Sequence, residues 1–166
     1  MEERKEKRRV RRIVRTSRMR LAAPPERVFP LLGPVWEYEW IEGWDCVLIR
    51  SESGVAEDNC VFVTNFPGEE GEVWVVSRYD PEGGFLEFVR FLKDERVIRY
   101  DISVRGDGDG SELAWTKIIT SLGQKGEALL EAYGEAEHAL QIKNLERMLN
   151  HYFATGEKLP RSALSG

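Results

Sequence analysis

Thiol and imidazole chemistry have little to work with in this chain, because 166 residues hold only two cysteines and two histidines. Cys46 and Cys60 form neither a CxxC pair nor a metal-type spacing. If 45–51 and 59–66 form a hairpin around Ser53, the two cysteines can face each other and a disulfide is open to them. In a reducing compartment free thiols are the expectation. His138 and His151 are thirteen positions apart, too far to share one ion from a single helix. Glu135 and His138 give an E-x-x-H spacing, but the second such pair that a carboxylate-bridged centre needs is missing. No metal and no cofactor is therefore expected. Also missing are the GxSxG elbow, the P-loop and the dinucleotide fingerprint. No apolar run approaches the roughly 18 residues that cross a bilayer. No apolar core follows the basic N-terminal residues, as an export signal would require. The expectation is a cytoplasmic protein without a transmembrane segment.

What is present describes a globular chain. Apolar residues make up 42% and charged residues 32%, too apolar a balance for disorder. A chain of this length can bury a core as one domain without staples. Its charge is uneven. Residues 1–20 carry ten Lys/Arg and three Glu, a local +7 against a whole-chain −5, so the remainder carries −12. A basic arm on an acidic body can meet nucleic acid or an anionic membrane. A solvated terminus leading into an Arg-decorated strand explains the same residues, and the acidic body repels phosphates, so no nucleic acid is expected.

Residues 1–9 read as a flexible basic tail, 10–155 as the folded domain and 156–166 as a loose C-terminal tail. From about Val10 to Leu21 the chain suits a strand whose arginines mark an edge. Pro24-Pro25 with Glu26 opens a short helix, since proline fits a first helical turn and an acidic residue complements its dipole. Gly33-Pro34 stops it, and a second short helix or turn carries Trp36, Tyr38 and Trp40. Strands follow at 45–51, 59–66, 71–80, 85–92, 96–105 and 111–121, separated by glycine-rich turns such as Gly106-Asp107-Gly108-Asp109-Gly110. Gly123 to about Phe153 reads as one amphipathic helix, with Leu129, Tyr133, Ala136 and Leu140, then Ile142, Leu145, Leu149 and Tyr152, at helical spacing. Gly134 inside it is a place for a bend. Consecutive strands with short turns imply an antiparallel meander. A curved sheet on one long helix leaves an interface that either fills with side chains or stays hollow.

The stretch RMRLAAPPERVFPLL at 18–32 resembles the opening strand and Pro-initiated helix of the START/birch-pollen-allergen/polyketide-cyclase superfamily, also called SRPBCC. The resemblance continues through WVVSRYDPEGGF at 74–85, YDISVRGDGDGSELAWT at 100–116 and the C-terminal helix. PVWEYEWIEGWDC at 34–46 is similar to an uncharacterised bacterial subgroup. The resemblance implies an α+β helix-grip fold: a curved seven-stranded antiparallel sheet wrapped on a long C-terminal helix, with two short helices after the first strand and a cavity between sheet and helix. Members bind lipids, sterols, polyketides or hormones, and some are enzymes, so the fold alone does not settle function.

Four aromatics within nine positions, Trp36, Tyr38, Trp40 and Trp44, can line an apolar pocket, each Tyr or Trp offering a polar handle. The same cluster can instead close the end of the sheet. Glu37, Glu39, Glu42 and Asp45 between them read as a solvated rim. Phe62, Thr64, Trp74, Val76, Phe88, Ile98, Tyr100 and Ile102 are expected to point inward. Among these and the helix, Phe62, Trp74, Tyr100 and Tyr133 join the candidate ligand contacts. Arg78 reads as a surface residue, although inward it could clamp a carboxylate. His138 reads as a helix-surface residue. The leading functional expectation is a small hydrophobic or amphipathic, lipid- or polyketide-like ligand bound by a monomer or homodimer. One alternative is a cyclase/dehydratase-type enzyme using Tyr38, Glu39 or Tyr100. Another is a protein-interaction or cochaperone-like module.

Overall fold

A computed structural model describes residues 11–165; the expected basic tail at 1–9 lies outside them. β1 (Arg12–Leu21) leads into α1 (Pro25–Val28), a 3-10 turn (Phe29–Leu32) and α2 (Glu37–Trp40). Six strands follow: β2 (Cys46–Arg50), β3 (Val61–Phe66), β4 (Glu69–Asp80), β5 (Phe85–Leu92), β6 (Arg96–Asp107) and β7 (Gly110–Ser121). They form one antiparallel sheet in the order β1-β7-β6-β5-β4-β3-β2. The long C-terminal segment then packs across the sheet as α3 (Gln124–Ala132) and α4 (Glu135–Thr155).

Period-two alternation sets the inner face of the sheet. All eight residues expected to point inward, from Phe62 to Ile102, are buried. Arg78 falls in the same phase as Trp74 and Val76 but is exposed. A bulge between Val76 and Arg78 inserts one residue and turns Arg78 outward, where its guanidinium lies 4.3 Å from the Phe85 ring centroid. β1 is an edge strand, as its arginines indicate, and the helix covers part of that edge. Asn150 on α4 accepts from the Ala22 N–H at 2.8 Å and donates to the Arg20 carbonyl at 2.9 Å, while Glu146 accepts from the Arg20 N–H. These bonds satisfy backbone groups that no further strand pairs, and they fix the helix against the sheet.

The C-terminal segment is not one continuous helix. Tyr133 leaves helical geometry (φ −85°, ψ 73°) and Gly134 is extended (φ −74°, ψ 175°) before α4 begins. The break shifts the phase between the two halves. Ala136 is therefore exposed, whereas His138, expected at the surface, is buried with 3% exposure. Arg15 of β1 donates to the Tyr133 carbonyl at 3.4 Å, holding the break against the sheet. α3 lies close on the β5–β6 turn, where a Cβ on Gly126 would come within 1.9 Å of the Glu95 carbonyl oxygen.

One further expectation changes and another holds. The segment after α4 is tethered rather than loose: Leu159 and Leu164 pack against the core, the Arg161 N–H donates to Glu42 at 2.6 Å, and Arg147 donates to the Ala163 carbonyl at 2.7 Å. Cys46 and Cys60 are separate thiols, because the β2–β3 register sets Cys46 opposite Thr64. No described helix is long and apolar enough to cross a membrane.

Candidate functional site

Cross-strand register brings charged residues onto the inner face. Lys117 of β7 stands opposite Tyr100 of β6, and Tyr100 opposite Phe88 of β5. One step along, Trp74 of β4 faces Arg90 of β5, and Arg90 faces Ile98 of β6. Lys117, Arg96 and Glu72 are in phase with apolar neighbours on their own strands and are buried with them. Aromatic rings support this row. Trp74 stacks on Tyr100 at 5.7 Å and on Phe62 at 5.3 Å, and the Arg90 guanidinium lies 4.8 Å from the Trp74 ring centroid.

The carboxylates are taken up by the arginines. Arg96 donates to Glu69 at 2.7 Å, Glu95 at 2.7 Å and Glu72 at 3.4 Å. Arg90 Nε lies 3.3 Å from Glu72, which has no exposed surface. Burial raises the Glu72 carboxyl against the pull of both arginines. At Glu69 burial has the same tendency, but the Arg96 hydrogen bond and the Arg90 charge outweigh it and hold the carboxyl below its usual range.

Lys117 sits differently. Its Nζ donates to the Tyr133 hydroxyl at 3.3 Å and lies 4.4 Å from the centroid of that ring. Among the described residues no carboxylate forms an ion pair with it. Burial, reinforced by the nearby Arg90 and Arg96 charges, lowers the ammonium to about 7. The Tyr133 hydroxyl also lies 2.9 Å from His138 Nδ1 and 2.8 Å from Gln141 Oε1, making a polar chain across the helix break. Burial raises the Tyr133 phenol, so it stays protonated; burial, then the Lys117 and Arg15 charges, lowers His138. The His138 Nε2 atom is buried without a hydrogen-bond partner.

A cavity of about 190 Å³ opens beside this chain, between the sheet and α3. Ile98, Ile119, Leu129 and Leu130 form its apolar wall, and Arg90, Arg96, Lys117, Glu69 and Tyr133 supply polar groups. Leu129 and Gln141, both exposed, mark its mouth. An apolar cavity of about 150 Å³ is large enough for benzene, so the space suits one ring with a polar substituent.

No family model matches the chain, and no curated protein matches it. Solved structures do. Ara h 8.0201 superposes with a TM-score of 0.59 at 10% identity, over 88% of this chain and 99% of that one. Norcoclaurine synthase from Thalictrum flavum, solved in complex with dopamine and hydroxybenzaldehyde, superposes with a TM-score of 0.62 at 11% identity, over 86% of this chain and 89% of that one. CalU16 from Micromonospora echinospora gives 0.57 at 13% identity, over 92% and 88%. The chain has the helix-grip fold. Identities this low carry the fold and nothing finer.

Within the helix-grip fold, the residues singled out in the sequence separate into three groups. Tyr133 lines the cavity. Phe62, Trp74 and Tyr100 form the buried aromatic row behind it. Trp36, Tyr38, Trp40 and Trp44 do not line it. Trp40 is buried and its Nε1 donates to the Leu31 carbonyl at 2.7 Å, Trp44 Nε1 donates to the Pro34 carbonyl at 2.8 Å, and Trp36 is exposed. The Tyr38 hydroxyl bridges the Cys46 carbonyl (3.0 Å) and N–H (2.9 Å), and Glu39 is exposed. This cluster ties the short helices to β2. Of the acidic residues beside it, Glu37 departs from a solvated rim: it is half-buried, and burial pushes its carboxyl well above the usual range. Sequence reasoning missed Lys117, Arg90, Arg96, Glu69 and Glu72. For Lys117, Arg96 and Glu72 the signal was present, a charge standing in the apolar phase of a strand.

Proposed function

We propose that the protein binds a small amphipathic molecule, about one ring in size with an oxygen-bearing head, in the cavity between the sheet and α3. The observation that supports this most is the contrast inside the cavity: an apolar wall of Ile98, Ile119 and Leu130 beside an amine, a phenol and a guanidinium. Sites of this kind use apolar walls for affinity and a few polar groups for orientation. A head that accepts hydrogen bonds is favoured, because Lys117 and Arg90 both donate and neither is fully engaged by carboxylate. The small volume favours a compact molecule over a sterol or a two-chain lipid. That a protein of the same fold was solved with hydroxybenzaldehyde and dopamine is in keeping with that size class.

Native mass spectrometry of the freshly purified protein, followed by denaturing extraction, tests the reading. A reproducible small aromatic or alicyclic oxygen-bearing compound is the expected result. A clean unliganded mass, together with no amide shifts around the cavity on titration with aromatic acids, aldehydes and alcohols, would overturn it.

A second reading is acid–base catalysis on such a molecule. The Lys117–Tyr133–His138 chain favours it, since it links a lysine near neutrality to a phenol and an imidazole within hydrogen-bonding reach.

A further inference from the structure

We infer that Lys117 is a nucleophilic amine that forms a reversible imine with a small aldehyde or ketone held in the cavity. The inference rests on the binding reading above and names the chemical class of its ligand.

A lysine kept for structure faces a carboxylate or reaches solvent, and Lys117 does neither. It is 8% exposed, and it lines a cavity to which Ile98, Ile119, Leu129 and Leu130 contribute apolar surface. The groups around it favour the free base. Arg90 on β5 and Arg96 on β6 repel a further positive charge, and Arg15 stands opposite Lys117 on β1. Glu69 and Glu72 on β4 favour the ammonium, but both are engaged by arginines. The remaining titratable neighbours, Tyr100, Tyr133 and His138, supply two rings and a hydrogen-bonded chain rather than a counter-charge. With its ammonium lowered to about 7, roughly half of the amine is free at neutral pH. An unperturbed lysine has on the order of 1,000-fold less.

The chemistry balances without an added oxidant or cofactor. The Nζ lone pair attacks the carbonyl carbon, a C–N bond forms, and the C=O π pair moves to oxygen. Tyr133, which already accepts from Nζ at 3.3 Å, gives its proton to that oxygen and takes one back from nitrogen. A second nitrogen proton follows the same route as the C–O bond breaks, so amine plus carbonyl gives imine plus water. Tyr133 ends as it began.

The full chain is treated with benzaldehyde and sodium cyanoborohydride at pH 7.5, and labelled lysines are mapped by peptide mass spectrometry. Binding of benzyl alcohol, the same ring without a carbonyl, is followed in parallel by amide NMR shifts around the cavity. The expected result is benzylation of Lys117 at least tenfold faster than of the exposed Lys93, Lys125, Lys143 and Lys158. Lys117→Arg, which keeps the cation and controls for folding, loses that mark while the exposed lysines label as before. Tyr133→Phe slows labelling of Lys117 about tenfold; an unchanged rate would remove Tyr133 from the proton path. Lys117 labelling no faster than the surface lysines, in protein that binds benzyl alcohol, overturns the imine and leaves the binding reading standing. Failure of both labelling and benzyl alcohol binding overturns the imine and counts against the cavity reading as well.

Discussion

Replacing Lys117 by methionine removes a buried ammonium and keeps most of the apolar stem, so it isolates what the charge costs the fold. A fall from 10.5 to about 7 corresponds to about 5 kcal/mol of differential stabilisation. Below pH 7 the lysine is protonated in both the folded and the unfolded chain, and the full cost is present. Between pH 7 and 10.5 the unfolded chain holds the proton more tightly, so stability rises with pH, by at most about 1.4 kcal/mol per pH unit. Above 10.5 both forms are neutral and the cost is gone. Lys117→Met is therefore expected to be more stable than the parent near pH 7, with the margin shrinking by about 2 kcal/mol between pH 7 and pH 9. Urea unfolding of both proteins at several pH values, followed by tryptophan fluorescence, measures that margin directly. Other titrating groups largely cancel in the difference. A margin that does not change with pH would mean that Lys117 titrates alike in the folded and unfolded chains, and the account of the cavity amine would fall.

Two further substitutions probe the surroundings. Arg96→Met leaves Glu69, Glu72 and Glu95 facing one another without their shared cation, and urea unfolding should show a loss of about 3–5 kcal/mol; an unchanged midpoint would show that the cluster is not held by this guanidinium. Gly126→Ala places a methyl within 1.9 Å of the Glu95 carbonyl oxygen, so α3 must move off the β5–β6 turn. A loss of about 1–3 kcal/mol in thermal unfolding, with altered amide shifts at Leu129 and Leu130, is expected, and a silent substitution would refute the close approach.

Most of the architecture was legible because it depends on local signals. Alternation in 96–105, proline at the start of α1 and the glycine turns each act within a few residues, and the elements fall close to where those signals put them. The helix break was legible only as a bend, because Gly134 permits extended backbone but the Arg15 bond that pins Tyr133 comes from a strand 118 positions away. The same break explains why His138, read as a surface residue on a continuous helix, is buried. The aromatic cluster at 36–44 was ambiguous for a different reason: tryptophan and tyrosine mark pockets and structural corners equally well, and here the indoles of Trp40 and Trp44 donate to backbone carbonyls away from the cavity.

The charged inner face shows most clearly where stability and function part. Glu69, Glu72 and Glu95 together neutralise Arg90 and Arg96, and a buried ion cluster of this kind seldom adds net stability over apolar residues of the same volume. Filling the layer with leucine and valine would serve the fold at least as well. Lys117 goes further, because the arginines beside it hold the carboxylates that would otherwise neutralise it. The arrangement therefore works against the lysine's own charge while leaving its nitrogen at the edge of an apolar space. Packing alone gives no reason for that combination; a ligand that needs an uncharged amine or a close hydrogen-bond donor does.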